Sequence, residues 1–80
     1  MTTAEKTLER MRRNPRDWRI EELESLAKRV GLAVRKPGGS HVIFFDPETG
    51  NKLSVPARRP IKEPYIRQFL ALIAAMEELQ

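Results

Sequence analysis

The strongest constraint on this chain lies in its middle, where Val42-Ile43-Phe44-Phe45 runs straight into Asp46-Pro47-Glu48-Thr49-Gly50. Consecutive β-branched and aromatic residues favour an extended strand. The second of these segments has hairpin chemistry: proline suits the second position of a tight turn, and glycine supplies the left-handed residue that closes it. A strand over residues 40–46 is therefore predicted to fold back onto one over residues 52–55. Pro56, lacking an N–H for the ladder, is expected to stop it. Pro37-Gly38-Gly39 is a second turn signal, so residues 32–36 are expected to supply a first strand. Strands joined this tightly form an antiparallel meander.

Helical patterns flank the meander. Thr2 followed by Glu5 reads as a capping box, with Ala4, Leu8 and Met11 at helical spacing behind it. This first helix is too short to be stable alone. In Asn14-Pro15-Arg16-Asp17 we expect a restart, with Asn14 as cap, Pro15 in the first helical position and Asp17 at the positive helix end. Ile20, Leu23, Leu26, Ala27 and Val30 make one apolar stripe, and Gly31 is expected to end the helix in the left-handed conformation. Pro64 opens the last helix, where Ile66, Phe69, Leu70, Ile73 and Met76 form a stripe and Tyr65, Leu72 and Leu79 a second, offset one. A helix apolar on two sides buries two sides. The order predicts one α+β domain over residues 1–80: a three-stranded antiparallel sheet with the two longer helices on one face. Residues 15–76 form its core, and 3–13 an extra N-terminal helix.

With no cysteine and a single histidine among 80 residues, a disulfide framework, a thiolate nucleophile and a cysteine zinc site are excluded. No metal or other cofactor is expected. No apolar run approaches the ~18 residues of a membrane span, and the charged N-terminus has no apolar signal core. A cytoplasmic protein with no membrane partner is the expectation. Residues 31–67 carry the whole net charge of +4: Arg35, Lys36, Lys52, Arg58, Arg59, Lys62 and Arg67 face only Asp46, Glu48 and Glu63. A basic middle implies a polyanion partner; a merely solvated surface is the plain alternative.

Within that middle, Gly39-Ser40-His41 carries the chemistry. A histidine leaving a glycine turn is accessible, and free imidazole titrates near ~6.5, which suits proton transfer at neutral pH. Strand alternation separates Val42 and Phe44 from His41, Ile43 and Phe45. The period fits either orientation. We expect Val42 and Phe44 to face the helices, because an ionisable group is cheaper on the open face. RNA brings its own nucleophile, the 2′-hydroxyl, so cleavage needs a base, an acid and positive charge at the phosphate. His41 can be the base or the acid, but not both in one step. Lys36, Lys62, Arg58 or Arg59 can steady the phosphorane, and Gly39 and Ser40 let the backbone approach the RNA. Acid–base help of this kind contributes ~10²–10⁴-fold. A lone strand-edge histidine is also commonly an inert surface residue. Trp18 and Tyr65 read as core anchors. Ile43 and Phe45 on an open face call for cover, by a partner or by the first helix.

Gly39-Ser40-His41, Val42-Ile43-Phe44, Val55-Pro56, Lys62 and Tyr65-Ile66-Arg67-Gln68-Phe69-Leu70 together resemble the HicA toxins of bacterial HicA–HicB toxin–antitoxin pairs, over about residues 18–73. The resemblance implies a double-stranded-RNA-binding-domain-like fold and ribosome-independent, metal-independent mRNA cleavage: an mRNA interferase of a type II toxin–antitoxin system. The family histidine falls on His41, with Gly39 and Ser40 before it. Lys36, Arg58, Arg59 and Lys62 are the candidate RNA contacts. The implied protein partner is a HicB-type antitoxin covering the active face. Val42 stands where members often carry a second histidine, and Ala57-Arg58-Arg59 where many carry one after Val-Pro. Two other functions fit the residues: a non-catalytic RNA-binding module on the same scaffold, and a protein-interaction adaptor suggested by the double apolar stripe of the last helix and the exposed Ile43–Phe45 pair.

Overall fold

The computed structural model describes residues 3–78. Helices α1 (Thr3–Arg13) and α2 (Ile20–Val30) precede strands β1 (Ala33–Arg35), β2 (His41–Phe45) and β3 (Lys52–Pro56), and helix α3 (Glu63–Glu78) comes after them. The sheet is an open antiparallel meander in the order β1-β2-β3. Val34 pairs with Phe44, and Val42 with Val55. The α+β class and the antiparallel sheet match the expectation. The Thr2 cap and Leu79 lie outside the described residues.

One face of the sheet makes the core. Val42, Phe44 and Val55 are buried there. Phe44 meets Phe69 of α3 edge to face, with ring centroids 5.1 Å apart, an arrangement favoured by the ring quadrupoles. Leu23, Leu26 and Ala27 of α2 and Ile66, Phe69, Leu72 and Ile73 of α3 complete it. Each buried Val, Leu, Ile or Phe side chain contributes about 1.5–3 kcal/mol by leaving water. The second stripe of α3 is real: Leu72 is buried and Tyr65 half-buried. Helix α1 docks too, burying Leu8 and Met11 in the same core and packing on α2 and α3. It therefore does not shield Ile43 and Phe45, which stay half-buried on the other face.

Five boundaries differ from the sequence expectation. Strand β2 covers His41–Phe45 rather than residues 40–46, and α3 starts at Glu63, one residue before Pro64. The other three are larger in consequence. Helix α2 starts at Ile20, not at Pro15. Asn14 does not cap it: its side chain accepts the Arg16 N–H at 3.3 Å, and Asp17 takes a left-handed φ of 62°. Trp18 is the cause. Its indole is buried in the core and donates to the Asn14 carbonyl at 2.6 Å, which folds residues 14–18 into a turn. The cap is Arg19, whose N–H donates to the Glu22 carboxylate at 3.0 Å, half of a capping box. Strand β1 is shorter than residues 32–36, because Leu32 donates its N–H back to Ala27 at 2.9 Å behind the left-handed Gly31. Pro56 does not stop β3 short but is its last paired residue, opposite His41.

Candidate functional site

The β2–β3 register builds the site. His41 pairs with Pro56 at the end of the sheet. The contact continues one residue further, where the Ala57 N–H donates to the Ser40 carbonyl at 2.6 Å. Gly-Ser-His and Val-Pro, separate in sequence, thus lie side by side. His41 is exposed and projects from the open face, since its neighbour Val42 is 5% exposed and points into the core. Gly39 enters the strand at φ 84°, a left-handed conformation that L side chains rarely adopt. A Cβ there would meet nothing within 4 Å, so its glycine serves the backbone turn and not close packing.

The segment 57–62 is tied at both ends. Ser40 holds Ala57, and the Trp18 carbonyl accepts the Ile61 N–H at 3.0 Å, with the Ile61 side chain buried. On the near side of this segment, Pro56, Arg58, Lys62 and Tyr65 line a cleft of about 120 Å³. His41 is the cross-strand neighbour of one of its walls, Pro56. Neither Arg58 nor Lys62 makes an ion pair among the described residues, whereas both other candidate cations do. Lys36 is held by Glu24 of α2. Arg59 donates to Glu21 at the start of α2, 2.9 Å away. These two lie off the cleft, where an acidic helix end competes with any phosphate for them. Glu21 is held below the usual carboxylate range, first by a hydrogen bond from its own backbone N–H and then by Arg59. Glu63 is lowered by hydrogen bonds from Arg67 and then Arg16.

Tyr65 is the cleft residue that sequence reasoning assigns to the core. Its position directly after Pro64, in the first turn of α3, is the available signal. Two larger depressions, of about 380 and 310 Å³, are lined by α1, α2 and the turn between them, and another of about 310 Å³ by Asp17, Arg19, Arg59 and Pro60; none of them contains His41 or the cleft cations. Among the described residues no group of His, Cys, Asp and Glu could hold a metal ion, and no helix is long and apolar enough to cross a membrane. Comparison of the chain with protein-family models, with curated proteins and with solved structures finds no match in any of the three.

Proposed function

We propose that this chain is a HicA-like toxin: a cytoplasmic, metal-independent endoribonuclease on a double-stranded-RNA-binding-domain-like fold, which cleaves mRNA and is restrained by a HicB-type antitoxin. One observation carries the reading. The register sets an exposed His41 against Pro56, a wall of the cleft that holds the unpaired Arg58 and Lys62.

With a phosphodiester at this junction, the imidazole accepts the proton of the 2′-hydroxyl. The 2′-oxygen attacks phosphorus, and Arg58 and Lys62 neutralise the charge that builds on the phosphorane. The bond from phosphorus to the 5′-oxygen then breaks, and water or Lys62 protonates the leaving oxygen. The products are a 2′,3′-cyclic phosphate and a 5′-hydroxyl. With one histidine in the chain, a single step has imidazole help for one of its two proton transfers. The result is modest turnover, adequate for a regulatory enzyme.

The test compares the purified protein with His41→Ala on end-labelled mRNA in the presence of a chelator. Cleavage by the unaltered protein alone, leaving cyclic phosphate ends, supports the reading. Equal cleavage by both removes His41 from the mechanism, and a requirement for divalent metal contradicts the scheme. Salt-dependent binding without cleavage would favour a non-catalytic RNA-binding module, for which the unpaired Arg58 and Lys62 suffice.

A further inference from the structure

The open face of the sheet carries a second feature that the cleavage scheme does not use. Along β2 the outward residues are His41, Ile43 and Phe45. Ser54 faces Ile43 from β3, and Lys52 faces Phe45. From β1, Arg35 pairs with Ile43 and lays its guanidinium 5.0 Å from the centre of the Phe45 ring. Phe45 is thus a half-buried ring on the open face, with the Arg35 guanidinium over it and Lys52 as its cross-strand partner on β3. Neither Arg35 nor Lys52 makes an ion pair among the described residues, in contrast to Lys36 and Arg59. No outward-facing strand position carries a carboxylate.

We propose that this face is a track for single-stranded RNA, in which one base stacks on the Phe45–Arg35 pair and Lys52 meets a backbone phosphate, while the strand continues to His41. The assignment rests on the nuclease reading for what happens at His41, and on the sheet alone for what happens at Phe45. Aromatic rings and guanidinium planes are the surfaces on which unstacked bases settle. A duplex keeps its bases inside, so such a platform offers it nothing to read. The cations lie at the two ends of the track, Arg35 and Lys52 around Phe45 and Arg58 and Lys62 at the cleft beside Pro56, with the uncharged Ile43 and Ser54 between them. Phe45 lies four residues from His41 on β2, or about 13 Å at the rise of a strand. The stacked base therefore belongs to a nucleotide a few positions from the scissile bond, and this subsite would choose where along an mRNA the imidazole acts.

Fluorescence anisotropy with a short 2′-O-methyl RNA single strand, which lacks the nucleophile and is not cut, tests the track. Phe45→Leu keeps the apolar bulk but not the π-face and is expected to bind about tenfold more weakly. Phe45→Trp should recover the affinity. Lys52→Ala should reduce the slope of log affinity against log salt by about 0.7, and the corresponding duplex should bind weakly and ignore Phe45→Leu. Unchanged binding by Phe45→Leu, or a duplex held as tightly as the single strand, overturns the proposal. So does a face that binds no RNA at low salt but captures an acidic protein through Phe45 and Lys52. The two readings fail separately. If His41→Ala still cleaves mRNA while Phe45→Leu loses the single strand, the track stands and the nuclease falls. If His41→Ala is inert while Phe45→Leu binds normally, the nuclease stands and the track falls.

Discussion

Along β2, neighbouring residues live in different worlds. Val42 and Phe44 are 5% and 0% exposed, clamped between the sheet and its helices. His41, Ile43 and Phe45 alternate with them and meet solvent, two cations and the edge of a cleft. The inner set supplies volume and dryness; the outer set offers charge, a π-surface and, on the proposed reading, a group for proton transfer. The contrast teaches that the buried core and the proposed site are divided here by residue parity within one short strand. A register slip of a single residue would exchange the two sets, so whatever holds the register also holds the site.

The largest test of that division is on the inner face. Phe44→Ala should cost about 3–5 kcal/mol, a large part of the ~5–15 kcal/mol that holds a domain folded, and urea denaturation would read it. A loss below about 1 kcal/mol would mean that the core is not where the burial places it. On the outer face, His41→Ala should lower the rate of mRNA cleavage by ~10²–10⁴-fold while leaving the unfolding free energy within ~0.5 kcal/mol of the original. A large loss of stability instead would erase the distinction between the faces.

A smaller effect probes the register. Asp46 is 4% exposed; one carboxylate oxygen accepts the Glu48 N–H and the other the Thr49 hydroxyl, each at 3.0 Å. Asp46→Ala should lower stability by about 1–3 kcal/mol through the loss of two hydrogen bonds to a charged carboxylate, and hydrogen exchange should show the β2–β3 amides opening first. The smallest effect belongs to Glu63, away from either sheet face. Arg67 and Arg16 hold its folded-state pKa below the unfolded value. Its contribution is therefore complete at neutral pH and is lost as pH falls through the folded-state value. The unfolding curves of the protein and of Glu63→Gln should separate at neutral pH and converge in acid.

Where sequence is a good guide, the cause is local. The strand period separates the two faces of β2 without saying which is buried, and the cost of burying an ionisable His41 makes the choice. The Asp46–Gly50 turn chemistry predicts the pairing of β2 with β3. Gly31 is legible as a helix end because few residues tolerate its conformation. The start of α2 is misleading because Asn14-Pro15 satisfies every short-range rule for a helix opening. The winning term is tertiary: Trp18 must reach the core, and its indole then claims the Asn14 carbonyl. The Ile20 stripe and Glu22, three residues after Arg19, are the better signal. At the site, the exposure and outward direction of His41 follow from parity together with the cost of burying an ionisable group. The division of the cations does not. That Lys36 answers to Glu24 and Arg59 to Glu21, while Arg58 and Lys62 stay unpaired, depends on contacts between segments distant in sequence. The Phe45–Arg35 pair likewise needs the β1–β2 register, which no run of residues displays.

The double tether on residues 57–62 has a thermodynamic consequence. Anchored to Ser40 at one end and Trp18 at the other, this stretch has little backbone freedom left to surrender when an anion arrives. Ordering a slack loop subtracts from affinity, and a pre-organised one avoids most of that penalty. On the proposed reading, Arg58 and Lys62 are thus offered from a braced frame, and the freezing of their side-chain torsions becomes the main ordering cost of taking a guest.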